Sequence, residues 1–238
     1  VSYETAYKDS TLTKTYILNN IIEDIGAKDG SKTNMGMGIY LMKSHFSVVQ
    51  GNTVRNALKN ADNGETLGRG AIAVSESINC QVDGNTIINS GRYGITCIYA
   101  YNTSITNNII NGTKDAGLFL KNTNGNKISN NQFRGIGKQS IRGNFGNTAR
   151  PDYATNGAVK MYKGVRTGNN IEISNNKFYS SSQNIINMSG EDERTGRGYT
   201  NEMNNISIHD NSLIGNTRPF NECINLKSIE PGACRILK

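Results

Sequence analysis

A hexamer of the form apolar-x-x-Asn-x-apolar recurs seven times along the chain, as ILNNII, VQGNTV, VDGNTI, ITNNII, ISNNQF, ISNNKF and IHDNSL. Its fixed residue falls at Asn20, Asn52, Asn85, Asn108, Asn131, Asn176 and Asn211, at intervals of 32, 33, 23, 23, 45 and 35. The base period is 23, and the longer intervals are the same unit with an insertion, or a doubled unit in the case of 45. A second element keeps step with the first: short strands GIYL, AIAV, GITC and GLFL, whose inward residues Ile39, Ile72, Ile95 and Leu118 each precede a repeat Asn by 13 residues. A unit of this length holds at least two short strands with period-two alternation and shows no 3.6-residue pattern. One such unit cannot bury its own apolar face, so units must stack. The expected fold is all-β: a parallel β-solenoid of about 8–9 coils, each coil about 4.8 Å above the last with apolar side chains inside. Strands near Ile39, Ile72, Ile95, Leu118, Val159 and Ile186 are expected to face inward. The 35 Asn and 26 Gly among 238 residues suit many tight turns, because both residue types tolerate left-handed backbone. The repeat Asn are expected at left-handed corners, with their amides hydrogen-bonded from coil to coil, as architecture and not as catalysts. Residues 1–238 are expected to form one domain, whether alone or as a piece of a longer chain.

From Ile17 to Leu226 these hexamers and paired strands resemble the right-handed, single-stranded parallel β-helix repeat of the pectin-lyase-like superfamily. That superfamily includes polysaccharide lyases, glycoside hydrolases, alginate-type epimerases and the receptor-degrading tailspikes of bacteriophages. The resemblance implies a polysaccharide partner and an extracellular, virion or cell-surface location, and a tailspike relationship would imply a parallel homotrimer. Its catalytic signatures are missing: the chain has no pectate-lyase aspartate cluster for calcium, no polygalacturonase NTD, DD, GHG and RIK set, and no epimerase DPH. The resemblance therefore implies the fold and a carbohydrate partner, without a transferable active site or a motif for calcium or another cofactor.

Charge narrows the partner further. Lys and Arg number 26 against 19 Asp and Glu, giving a net charge of +7, which favours an anionic partner and, with the resemblance, an acidic polysaccharide. Nucleic acid is not expected, because the basic residues are scattered and the aromatic RNA-binding motifs are absent. No apolar run approaches the roughly 20 residues of a membrane span, and the first residues lack the order of a signal peptide. The cysteines Cys80, Cys97, Cys223 and Cys234 have no CxxC spacing, which argues against a zinc ribbon or a redox motif. Cys223 and Cys234 are close enough in sequence for a small bridge, with buried free thiols as the alternative.

The 23-residue register stacks positions in columns. Three residues before each inward residue lie Gly36, Arg69, Arg92, Asp115 and, if Ile141 continues the register, Lys138. The next column contributes Tyr93, and the outward positions are Tyr40, Ala73, Thr96, Phe119 and Arg142, with Lys121, Lys160 and Tyr162 further along. Arg binds carboxylates bidentately and aromatic rings pack on sugar faces, so Arg69, Arg92, Phe119, Lys121 and Lys160 are the candidate substrate-binding residues. Tyr93, Asp115, Lys138, Arg142 and Tyr162 are the candidate catalytic residues. A lyase needs the uronate carboxylate neutralised, here by Arg142 or Lys138, and a base for the C5 proton, here Tyr93 or Tyr162. A hydrolase needs two carboxylates, from Asp115 or the loop Glu191, Asp192 and Glu193. An epimerase would share the lyase groups and return the proton. A non-catalytic binder or shaft is the other class, with Arg92, Asp115 and Lys138 as a salt-bridge ladder. His45 and His209 are set aside as catalytic bases or metal ligands. Insertions at about 23–37, 55–70, 134–157 and 189–203 are expected to wall the groove; alternatively the 134–157 stretch bridges a coil without its own hexamer.

Overall fold

The computed structural model describes residues 2–4, 14–25, 36–57, 70–145, 168–179, 185–189, 203–227 and 234–236. Their strands form three parallel sheets of eight, eight and seven members. The first contains β1 (Ser2–Glu4), β4 (Ile39–Met42), β7 (Gly70–Ser75), β10 (Tyr93–Ile98), β13 (Ala116–Lys121), β16 (Gln139–Asn144), β19 (Ile186–Ser189) and β22 (Ile224–Lys227). The second contains β2 (Tyr16–Leu18), β5 (Val48–Gln50), β8 (Gln81–Asp83), β11 (Ser104–Thr106), β14 (Lys127–Ser129), β17 (Ile171–Ser174), β20 (Ile206–His209) and β23 (Cys234–Ile236). The third contains β3 (Ile21–Glu23), β6 (Thr53–Arg55), β9 (Thr86–Ser90), β12 (Ile109–Thr113), β15 (Gln132–Ile136), β18 (Lys177–Tyr179) and β21 (Ser212–Ile214). The chain visits the sheets in rotation, so the expected eight to nine coils are realised as seven complete coils and an eighth of two strands.

Each repeat contributes apolar residues from all three sheets to the interior, and strands of the first sheet contribute two, such as Ile39 with Leu41 and Leu118 with Leu120. In the first sheet Ile39, Ile72, Ile95, Leu118, Ile141, Ile186 and Ile224 stack in register. In the second, Ile17, Val49, Val82, Ile105, Ile128, Ile173 and Ile208 do the same. The third sheet stacks Ile22, Val54, Ile87, Ile110, Phe133, Phe178 and Leu213. Toward the C-terminal end aromatic rings continue this column, Phe133 on Phe178 at 5.2 Å and Phe178 on Phe220 at 5.6 Å.

The repeat Asn make the ladder expected of them, but not at the expected backbone position. The left-handed residue is the one before each: Asn19, Gly51, Gly84, Asn107, Asn130, Asn175 and Asp210 all have φ between 54° and 66°. Taking the corner there leaves the next side chain turned inward, and Asn52, Asn85, Asn108, Asn131 and Asn176 are fully buried. Asn108 is typical: its Nδ2 donates to Val82 O at 2.9 Å and to Asn131 Oδ1 at 3.0 Å. Its Oδ1 accepts from the backbone N–H and Nδ2 of Asn85 at 2.9 and 3.0 Å.

The 45-residue interval is one coil and not two. Asn131 Nδ2 donates directly to Asn176 Oδ1 at 3.0 Å, and Ile141 pairs directly with Ile186 in the first sheet. Val159, expected inward, lies outside the described residues. The insertion expected over 134–157 begins only after Phe145, because β15 and β16 continue the regular coil. The others fall between β3 and β4, β6 and β7, and β19 and β20. Two insertions therefore precede strands of the first sheet and two follow them, so all four leave the coil at corners bordering that sheet. The bridge considered between Cys223 and Cys234 does not form: Cys223 is a free, buried thiol, as are Cys80 and Cys97.

Candidate functional site

Among the described residues, the outer side of the first sheet carries Arg92, Asp115, Lys138, Phe119 and Arg142 in the register expected of them. Gly94 and Gly117 open two of its strands where the backbone bends against the interior: a Cβ at Gly117 would lie 2.6 Å from Phe133 Cδ1 and 2.9 Å from Ser140 O. Two residues before each of these glycines, at Arg92 and Asp115, the outer rim begins. There the Asp115 N–H donates to Arg92 O at 3.0 Å and the Lys138 N–H donates to Asp115 O at 2.9 Å. Arg92, Asp115 and Lys138 thus occupy successive coils. Four residues further along each strand, Thr96, Phe119 and Arg142 are direct partners across β10, β13 and β16.

Their side chains converge. Asp115 Oδ1 lies 3.5 Å from Lys138 Nζ, and Oδ2 lies 3.7 Å from Arg142 Nη1. Beside this pair the Tyr93 and Phe119 rings stack at 4.7 Å and 17°. Arg92 lies 4.8 Å from the Tyr93 ring centre and Arg142 lies 5.5 Å from that of Phe119, so two guanidinium groups flank two rings. Arg–ring contacts of this kind are favourable when partly desolvated. The Asp115 carboxylate is 10% exposed, whereas Lys138 and Arg142 are 57% and 29% exposed. The patch presents cations outward over one nearly buried carboxylate.

The face is more covered than expected. Tyr93 is 1% exposed, Phe119 3% and Lys121 8%, so none offers the open surface for a sugar that an outward position suggested. Register fixes which row a side chain occupies and does not fix what lies over it. Burial pushes the Tyr93 phenol above its usual range; Arg92 and Arg142 pull the other way but do not prevail, and Asp115 adds to the rise. The expectation that cations would hold Tyr93 ready as a base fails on this balance, because desolvation disfavours the phenolate. Arg69, Lys160 and Tyr162 lie outside the described residues, as does the acidic loop at Glu191, Asp192 and Glu193.

One further polar group on this face, Gln139, was missed, and Thr96 was placed as an outward position without a role. Thr96 Oγ1 and Gln139 Oε1 are buried and have no hydrogen-bond partner, and the same holds for Asp115 Oδ1 apart from its ion pair. The 23-residue register could have found Gln139, which pairs with Ala116. The row through Arg142 continues to Asn187 and Asn225, where Asn225 Nδ2 donates to Asn187 Oδ1 at 3.1 Å. Reading the 45-residue interval as a single coil would have placed Asn187 there.

The histidines sit elsewhere. His45 is buried, its Nδ1 accepts the Ile78 N–H at 3.2 Å, and burial lowers its pKa. His209 lies on the second sheet, with Nδ1 2.7 Å from Asp210 Oδ2 and Nε2 3.9 Å from Glu172 Oε1. Among the described residues no three His, Cys, Asp or Glu side chains converge as a metal site.

With a solenoid of this kind and this face in place, known proteins can be compared. The A-module of a mannuronan C-5 epimerase from Azotobacter vinelandii superposes with a TM-score of 0.53 and 9% identity, over 94% of this chain and 57% of the module. A surface protein and adhesin of Streptococcus pneumoniae superposes with a TM-score of 0.50 and 12% identity, over 95% of this chain and 69% of the adhesin. This chain spans little more than half the length of the epimerase module, and at these identities the likeness is one of fold. No curated protein sequence matches it. The family model described as the right-handed β-helix region matches residues 4–133, more than half the chain. The chain belongs to the right-handed β-helix family.

Proposed function

We propose that this protein binds an acidic polysaccharide across the outer face of the first sheet and degrades it there, at a cell or virion surface or outside the cell. The observation that carries the reading is the cluster of Arg92, Lys138 and Arg142 around a single buried carboxylate, Asp115. Three cations to one anion leave an excess of positive charge. In this reading Arg142 meets a sugar carboxylate with its guanidinium, the group that recognises carboxylates best.

Elimination suits this face better than hydrolysis. A hydrolase needs two carboxylates roughly 5 to 9.5 Å apart. Among the described residues of the columns around it Asp115 is the sole acid, and Glu76 sits at the far end of the strands beside Lys43. Seven strand positions separate Asp115 from Glu76, or about 23 Å. In an elimination, Arg142 neutralises the uronate carboxylate and a base removes the C5 proton. The C5–H electrons then form the C4–C5 double bond as the C4–O bond breaks, and the departing oxygen takes up a proton, from the protonated base or from water. Tyr162 is the base in this reading, since Tyr93 is covered and holds its proton. An epimerase would use the same groups and return a proton to C5 without breaking the chain.

A second reading, binding without turnover, is favoured by the engagement of the described groups: Asp115 is held by Lys138 and Arg142, and the two rings are covered. One experiment separates these readings. Polygalacturonate and alginate are incubated with the protein, with Arg142→Ala and with Tyr162→Phe, while the ultraviolet band of an unsaturated uronate and the reducing ends are followed. Both signals rising in the wild type and falling in the variants is the expected outcome. Reducing ends without the ultraviolet band would establish hydrolysis, and binding with neither signal would establish the non-catalytic binder.

A further inference from the structure

The corner between the first and second sheets takes two left-handed residues, three apart, on each of four successive coils. They are Lys43 and Phe46, Glu76 and Asn79, Tyr99 and Asn102, and Asn122 and Gly125, with φ between 49° and 66°. The residue after each turns inward, as it does at the ladder corner. The inward pairs are Ser44 with Ser47, Ser77 with Cys80, Ala100 with Thr103 and Thr123 with Asn126, all buried. On the first two of these coils the polar atoms satisfy one another. Ser44 Oγ and Ser47 Oγ face each other at 2.9 Å, and Ser77 Oγ accepts the Ser44 N–H at 3.0 Å and donates to Ser75 O at 2.8 Å. Cys80 Sγ donates to Ser44 O at 3.1 Å.

The next two coils do not close in this way. Asn126 Oδ1 accepts the Thr103 N–H at 3.2 Å, as a ladder Asn would. A ladder Asn also gives its Nδ2 to the Asn of the following coil, but the residue following Asn126 in this column is the buried, apolar Ile171. Ala100 lies in register with Thr123 and ends at Cβ, where Ser44 and Ser77 carry a hydroxyl. Three buried polar atoms are thereby left without a partner in the protein: Thr103 Oγ1, Thr123 Oγ1 and Asn126 Nδ2. The Ser44–Ser47 contact shows that the two inward positions of one coil meet across this corner, and the bond from the Thr103 N–H to Asn126 joins the two coils. The three side chains therefore border one space, widened on the Ala100 side. Leaving such groups dry is costly, and one molecule matches all of them. We propose that a single water molecule is bound inside the coil here, held by Thr103, Thr123 and Asn126. It accepts from Asn126 Nδ2 and from one threonine hydroxyl and donates to the other, three bonds being usual for a buried water. This site is separate from the face of the first sheet and stands independently of the polysaccharide reading.

The test is the sign of a change in stability, read beside the water itself. Thr103→Val and Thr123→Val keep the side-chain shape and remove one hydroxyl each. With the water in place, each variant takes away one of its three partners, and the melting temperature should fall by roughly 2–4 °C, the scale of one hydrogen bond in a domain of this size. In a dry corner the same substitution would exchange an unpaired buried hydroxyl for a methyl group, and the melting temperature would hold or rise. Nuclear magnetic resonance reads the water directly. The side-chain amide hydrogens of Asn126 should show cross-relaxation to water with the sign of a long-lived bound molecule in the wild type, and this signal should weaken in both variants. Melting temperatures at or above that of the wild type in both variants would overturn the site. So would the absence of the water signal at Asn126, or a signal that neither variant alters.

Discussion

Replacing Asn108 by Ala tests the ladder at its centre. The substitution deletes four side-chain hydrogen bonds: Nδ2 to Val82 O, Nδ2 to Asn131 Oδ1, and the two that Oδ1 accepts from Asn85. The site is fully buried, so water does not replace the lost partners of the Asn85 N–H and the Val82 carbonyl. At a net 1 kcal/mol or so per bond the cost is about 4 kcal/mol, a large part of the 5–15 kcal/mol by which such domains are stable. Asn20 provides the internal comparison, because its exposed side chain makes two bonds, to Leu18 O and to Asn52 Oδ1. Asn20→Ala should therefore cost about 1 kcal/mol or less. Urea unfolding of the two variants, analysed by midpoint at constant slope, measures the difference. Equal costs for Asn108→Ala and Asn20→Ala would refute the reasoning, since the ladder would then contribute nothing beyond what an exposed Asn supplies.

Asn107 has φ of 57°, so Asn107→Val should destabilise by about 1–3 kcal/mol while Asn107→Gly stays near neutral, as read by the same unfolding curves. Gly117→Ala should destabilise by about 1–3 kcal/mol, because its Cβ would lie 2.6 Å from Phe133 and 2.9 Å from a backbone oxygen. His45 is neutral and buried with a lowered pKa, so below its unfolded value of about 6.5 the unfolded chain binds the extra proton and folding is weakened. Stability should fall as pH drops through that point, and His45→Gln should flatten the fall in a series of melts. The thiols Cys80, Cys97 and Cys223 are buried with raised pKa values, Cys80 to about 11, and should resist a thiol reagent until denaturant is added.

The register was legible because the interior leaves so little choice. Alternating apolar residues in each strand and a constant offset of 13 from Ile39, Ile72, Ile95 and Leu118 to the ladder Asn fix the coil, and each of those pairings is present. The stacking of Arg92, Asp115 and Lys138 followed from the same count. The corner was misplaced by one residue, although Asn, Gly or Asp precedes every ladder Asn and those are the residues that accept positive φ. Beyond Asn131 the coil is harder to follow, since GIGKQSIRGN has weak alternation and Gly143 packs against Phe145 where a strand residue would show a side chain. The cover over Tyr93 and Phe119 could not be read at all. The rings stack on each other and against Arg92 and Arg142, contacts set by side-chain conformation that leave no periodic trace in the strand itself.

The most direct test of the acidic-polysaccharide face is a binding series with polygalacturonate and alginate beside neutral dextran, from low salt to about 1 M, where the Debye length shrinks from about 10 Å at 0.1 M to 3 Å. The wild type is compared with Lys138→Gln/Arg142→Gln, which removes two of the outward charges, with the melting of the variant measured alongside because both groups pair with the nearly buried Asp115. Preference for the acidic polymers that fades with salt and disappears in the double variant is the expected result. Equal affinity for dextran, insensitive to salt, or full retention of acidic-polymer binding in the double variant, would contradict it.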